Sequence, residues 1–194
     1  MDTSILDNYE SYEYIKNIKG HLDEEYLKVS LDFFIMFSRF EYALKTLPLF
    51  SKEKETDYGK YSEANWTEFT KELAKSGKID YSKPEKLKIA KDYLINNPPY
   101  KLLFSKVTNK LEPEENKVNA NYSETKKLRE HIKLIRNNLF HGGKYTDNMI
   151  EGSKENKEAV KRNILLIKSA MIVLDNWLDL CSENSGIKER FNNI

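Results

Sequence analysis

Cysteine, glycine, proline, long apolar runs and net charge are all scarce in this chain of 194 residues. Cys181 is the only cysteine, so no intramolecular disulfide forms and a cysteine-ligated zinc site has no second thiolate. A reducing compartment fits. Glycine and proline number only 7 and 5, and no glycine-rich loop suited to cradling phosphates occurs. An apolar run such as Phe33 to Phe37 is far short of a membrane span, and Met1-Asp2-Thr3-Ser4 opens no basic-then-apolar signal. The expectation is a cytoplasmic protein with no membrane partner. Neither His21 nor His131 falls in a His-Glu-x-x-His or similar ligand spacing, so no metal site is expected and both histidines read as structural or surface residues. Net charge is only +1, which gives no overall excess for holding a polyanion.

Charge is nevertheless polarised. Residues 1–57 carry 7 basic and 12 acidic side chains, whereas 83–136 carry 13 basic and 7 acidic ones, which allows one basic face. Apolar residues at 39% and aromatic ones at 12% are enough for a packed core, and the length suits a single domain over 1–194. With few breakers and short β-branched runs, the class expected is all-α.

Periodicity places the helices. Val160, Ile164, Ile167, Met171, Leu174 and Leu178 repeat at 4-3-4-3-4 on a helix over about 153–181, with a second row of Ala170, Val173, Trp177 and Leu180 that calls for more than one packing neighbour. Asp23 caps a helix from 24 to 47 that Pro48 ends; Leu31, Phe33, Phe34, Ile35, Met36, Phe37 and Phe40 make it apolar nearly all round and predict burial on most sides. A shorter N-terminal helix is expected through Ile5, Leu6, Tyr9, Tyr12, Ile15 and Ile18. Residues 65–75 and 84–95 read as short helices, 51–62 as loop and 109–121 as an exposed connection. From about Tyr122, Leu128, Ile132, Ile135 and Leu139 resume the helical period, Asn121 and Glu124 resemble a capping box, and Gly142-Gly143 stops the helix.

The end of that helix concentrates polar function in Ile135-Arg136-Asn137-Asn138-Leu139-Phe140-His141-Gly142-Gly143-Lys144. Arg136 offers a permanently charged planar fork suited to phosphate oxygens. His141 titrates near neutrality, so it can take a proton from a 2′-hydroxyl or give one to a leaving 5′-oxygen. Asn137, four residues before His141, shares its helix face and is placed to orient the imidazole or hold a phosphate oxygen. Taken singly, each has an ordinary reading: a surface arginine, a polar helix end, a histidine complementing the helix dipole. Elsewhere, Arg39 and Glu41 are polar residues on an apolar helix, read as an internal salt bridge, exposure at a dimer boundary, or support of the site from inside. Tyr58, Tyr61, Trp66 and Phe69 are either core aromatics or stacking surfaces for bases.

Arg136-Asn137-Asn138-Leu139-Phe140-His141 resembles the Arg-Asn-x-x-x-His motif of HEPN domains, and Gly142-Gly143-Lys144 continues it as in several bacterial branches. Phe40-Glu41-Tyr42-Ala43-Leu44-Lys45 is similar to an early helix of some branches. The resemblance implies a bundle of four to five main helices, with the motif near the end of a late helix followed by one more long helix. It further implies a metal-independent endoribonuclease without cofactor, a homodimer pairing two motifs, and service in toxin–antitoxin or defence systems with an antitoxin protein as partner. On that reading His141 transfers protons, Arg136 stabilises the transition state, Asn137 orients, and Asn138, Lys144 and Lys133 contact the RNA. Some members are catalytically silent and bind RNA, a nucleotide or a protein partner, which is the alternative for this chain. A helix argument supports the dimer: residues five apart project roughly 140° apart, so Arg136 and His141 of one helix do not easily reach one phosphate.

Overall fold

The computed structural model describes residues 23–77, 79–106, 109–116, 118–140, 154–180 and 186–193. The expected N-terminal helix, His21, Cys181 and the stretch from His141 to Lys144 lie outside the described residues.

Helix α1, Glu24–Lys45, starts where Asp23 accepts a hydrogen bond from the Tyr26 amide at 2.9 Å. A 3-10 turn at Pro48–Phe50 leads into strands β1, Ser51–Thr56, and β2, Gly59–Ala64. Helix α2, Trp66–Lys75, is capped by Asn65, whose side chain accepts from the Glu68 amide at 3.2 Å. Then come α3, Glu85–Asn96; strands β3, Tyr100–Ser105, and β4, Lys110–Glu115; and α4, Glu124–Phe140. Helix α5, Lys154–Leu180, and the short α6, Ile187–Asn192, complete the order.

The fold is therefore mostly helical, and the all-α expectation needs correction at two antiparallel hairpins. In one, Ser51 pairs with Ala64 and Thr56 with Gly59; in the other, Tyr100 pairs with Glu115 and Ser105 with Lys110. Residues 51–62 had the polarity of a loop because both faces of this hairpin are largely solvated, which removes the apolar alternation that marks a strand. Lys54 bonds Glu63 at 2.9 Å across the ladder, and the Ser51 and Ser62 hydroxyls lie 2.7 Å apart. The capping expectation at 121 also shifts: Ser123 accepts from the Lys126 amide at 3.3 Å, while the Asn121 amide bonds the Asn119 side chain.

Helix α5 is the spine. Ile164, Ile167, Leu174 and Leu178 are buried on one row and Ala170, Val173 and Trp177 on the other, and the helix packs against both α1 and α3. Trp66 stacks on Phe37 and Phe40 at 5.3 and 5.2 Å, and Phe69 meets Phe40 edge-on at 5.3 Å, so both Trp66 and Phe69 are core. Among buried polar groups, the Trp177 indole donates to the Tyr81 hydroxyl and that hydroxyl to Thr125 Oγ1, both at 3.1 Å, linking α5 to α4.

Helix α1 is not buried on most sides. Its core row is Tyr26, Val29, Phe33, Phe37, Phe40, Ala43 and Leu44, whereas Leu31, Phe34, Ile35 and Tyr42 are exposed. Phe34 lies 5.0 Å from the exposed Phe140 ring at the end of α4. Among the described residues no helix is long and apolar enough to cross a membrane.

Candidate functional site

Helix α4 has two faces of opposite chemistry. Leu128, His131, Ile132, Ile135 and Asn138 are buried, and Lys126, Glu130, Lys133 and Asn137 repeat at three- and four-residue spacing on the side away from them. Two clefts open along this polar side. The larger, about 630 Å³, is lined by Lys101, Asn116, Tyr122, Lys126, Arg129 and Lys133 among others. The smaller, about 320 Å³, is lined by Phe37, Glu41, Lys45, Glu63, Trp66 and Arg136. Lys133 and Asn137 belong to both, so the clefts adjoin.

Arg136 lies over two aromatic rings. Its guanidinium carbon sits 4.4 Å from the Phe140 ring centroid and 5.9 Å from that of Phe37, and Nη1 donates to Asn137 Oδ1 at 3.1 Å. Nε is buried without a partner. The enclosed Nε is out of a ligand's reach and Nη1 is shared with Asn137, so the guanidinium meets the cleft as a half-buried, permanently charged cation suited to an anionic oxygen. Asn137 is exposed and holds Arg136; His141, which it was expected to orient, lies outside the described residues, as does Lys144.

Asn138 points the other way. It is only 6% exposed, and its Nδ2 donates to the Tyr100 carbonyl at 2.8 Å. Arg162 of α5 completes the clamp by donating to the Pro98 carbonyl at 2.6 Å and lying over the Tyr100 ring. Asn138 thus fixes the start of β3 on α4 and so positions Lys101 on a wall of the larger cleft.

Glu41 lines the Arg136 cleft and accepts from the Trp66 indole at 3.2 Å, whereas Arg39 reaches the Asn192 carbonyl and lies over Phe191. Those two polar residues of α1 therefore serve different places. Glu63, which lies between the expected loop at 51–62 and the expected helix at 65–75 and carries no motif of its own, faces the same cleft; its hydrogen bond from Lys54 holds its carboxyl below the ordinary value, with Lys133 adding to the effect. Arg129 bonds Thr67, Thr70 and Glu130, tying α4 to α2. His131 is buried with Nδ1 unpartnered, and burial pushes its pKa down from 6.5 to about 4. Tyr58 and Tyr61 are exposed on the first hairpin. Among the described residues no group of three or more His, Cys, Asp or Glu side chains is arranged to hold a metal ion.

No protein-family model matches the chain, and no curated protein or solved structure matches it.

Proposed function

We propose that this chain is an HEPN-type endoribonuclease that cleaves RNA without metal at a groove shared by two copies, in a toxin–antitoxin or defence setting. The observation that carries the reading is the placement of Arg136. The first residue of the Arg-Asn-x-x-x-His motif lines a cleft, its guanidinium carbon 4.4 Å from the Phe140 ring centroid, with Lys133 and Asn137 on the same wall. In the proposed reaction His141 takes the 2′-hydroxyl proton, the 2′-oxygen attacks phosphorus, and the 5′-oxygen leaves with a proton returned from an imidazolium. Arg136 offsets the charge gathering on the non-bridging oxygens.

The exposed apolar stripe Leu31, Phe34, Ile35 and Tyr42 supports a second copy as partner, because Phe34 touches Phe140 and the stripe thereby reaches the edge of the Arg136 cleft.

The test is cleavage of a labelled RNA in excess EDTA, with the 5′ product examined for a 2′,3′-cyclic phosphate end. Persistent cleavage with that end is expected. Activity that vanishes in EDTA and returns with magnesium would sink the proposal, and binding without cleavage in either condition would favour the silent module.

A further inference from the structure

The larger cleft has no task in the chemistry above, and its walls are cationic. Lys101 comes from β3 and Lys126 and Lys133 from α4, while the fourth cation, Arg129, is already paired with Glu130 at 2.6 Å. None of the three lysines is in a salt bridge among the described residues. Asn116, 7% exposed, and Asn119 add polar groups, and Tyr122 lies beneath the Lys126 ammonium, 3.3 Å from the ring centroid. Such a site favours a chain of phosphates. A compact anion would need one cleft only. The two clefts share Lys133 and Asn137, so an extended ligand in the larger one continues directly toward Arg136. From Lys126 to Arg136 the helix rises roughly 15 Å, enough for several phosphates in a row. A cleft of about 630 Å³ is the size of a small-ligand pocket and far too small to admit a duplex.

We propose that this cleft is a strand-binding subsite that carries the backbone of unpaired RNA to Arg136, with Lys101 and Lys126 contacting phosphates. The inference rests on the ribonuclease reading in naming RNA as the occupant. It does not depend on catalysis. Lys101 is fixed by the clamp of Asn138 and Arg162 on the β3 hairpin, so the hairpin acts as the wall opposite α4.

The experiment measures fluorescence anisotropy of a labelled single-stranded oligoribonucleotide with the full chain carrying His141→Ala, which keeps the probe intact, across a range of salt concentrations. Adding Lys101→Gln and Lys126→Gln should weaken binding roughly tenfold or more and flatten the log–log salt slope by about 1.4, the share of two single-strand phosphate contacts. Lys101→Arg with Lys126→Arg should retain both. A duplex of the same sequence should bind more weakly. Unchanged affinity and slope in the glutamine variant, no binding at all without it, or equal affinity for duplex would each overturn the subsite. Cleavage is scored separately in chains with His141 intact. Lysine-dependent binding with no cleavage leaves the subsite standing and removes the ribonuclease; cleavage with an unaltered KM in the glutamine variant does the reverse.

Discussion

At the residue scale, Arg136 presents a planar cation over the Phe140 ring, 4.4 Å from its centroid, with Nη1 tied to Asn137, a geometry that an ammonium on a flexible stem does not reproduce. Arg136→Lys should lower the cleavage rate about a hundredfold or more while leaving the thermal melt close to that of the parent. A lysine variant cleaving at the parental rate would reduce Arg136 to a surface cation. His131 gives a prediction independent of RNA. Its pKa is depressed by burial to about 4 from 6.5, Glu130 opposing and Lys127 assisting the shift, so the unfolded chain binds the proton first as pH falls. Stability is intact above 6.5 and is lost progressively down to about 4, by roughly 3 kcal/mol at the limit. Urea midpoints of the parent and His131→Leu, compared between pH 7 and 4, should diverge in that window; parallel curves would show that the imidazole does not titrate this way. This burial was legible in the sequence, because the spacing of Leu128, Ile132, Ile135 and Leu139 already sets the register of α4. Once that register is set by Leu128, Ile132 and Ile135, both His131 and Asn138 fall on the core side.

Helix boundaries were legible where capping chemistry is local: Asp23, Asn65 and Pro84 stand at the predicted starts, and α4 and α5 run within a few residues of their expected limits. The hairpins were not. Strand β1 reads Ser-Lys-Glu-Lys-Glu-Thr and its partner is equally polar, so their pairing is fixed by cross-strand charge and hydroxyl contacts that a periodicity scan does not weigh. The larger cleft was hidden because Lys101 gains meaning only when β3 is placed against α4. An all-round apolar sequence does not by itself mean core on every side: α1 buries one row and leaves Leu31, Phe34, Ile35 and Tyr42 exposed. Its exposed row instead makes an element-scale prediction. Phe34→Glu puts a charge in the centre of the Leu31, Ile35 and Tyr42 patch without touching the buried row, so it should convert a dimer to a monomer by light scattering and remove cleavage while helicity stays parental. A parent that is monomeric and fully active would defeat the shared groove.

For the whole molecule, polarised charge and two adjoining clefts place the cationic centre on the α4 side while α1 brings an apolar stripe to its rim. The same layout decides how a two-copy site should respond to mixed damage. If each site takes Arg136 from one chain and His141 from the other, neither an Arg136→Ala nor a His141→Ala homodimer has an intact pair. A heterodimer of the two variants, however, assembles one site with both residues present and one with both missing. Random 1:1 exchange makes about half of the dimers heterodimers, each with one working site of two, so activity should recover to roughly a quarter of the parental value. Exchange must be confirmed independently, by two differently tagged chains co-purifying. No recovery despite confirmed exchange would mean that each site lies within one chain or needs both copies of each residue, because independent mixed sites predict rescue and either of those arrangements forbids it.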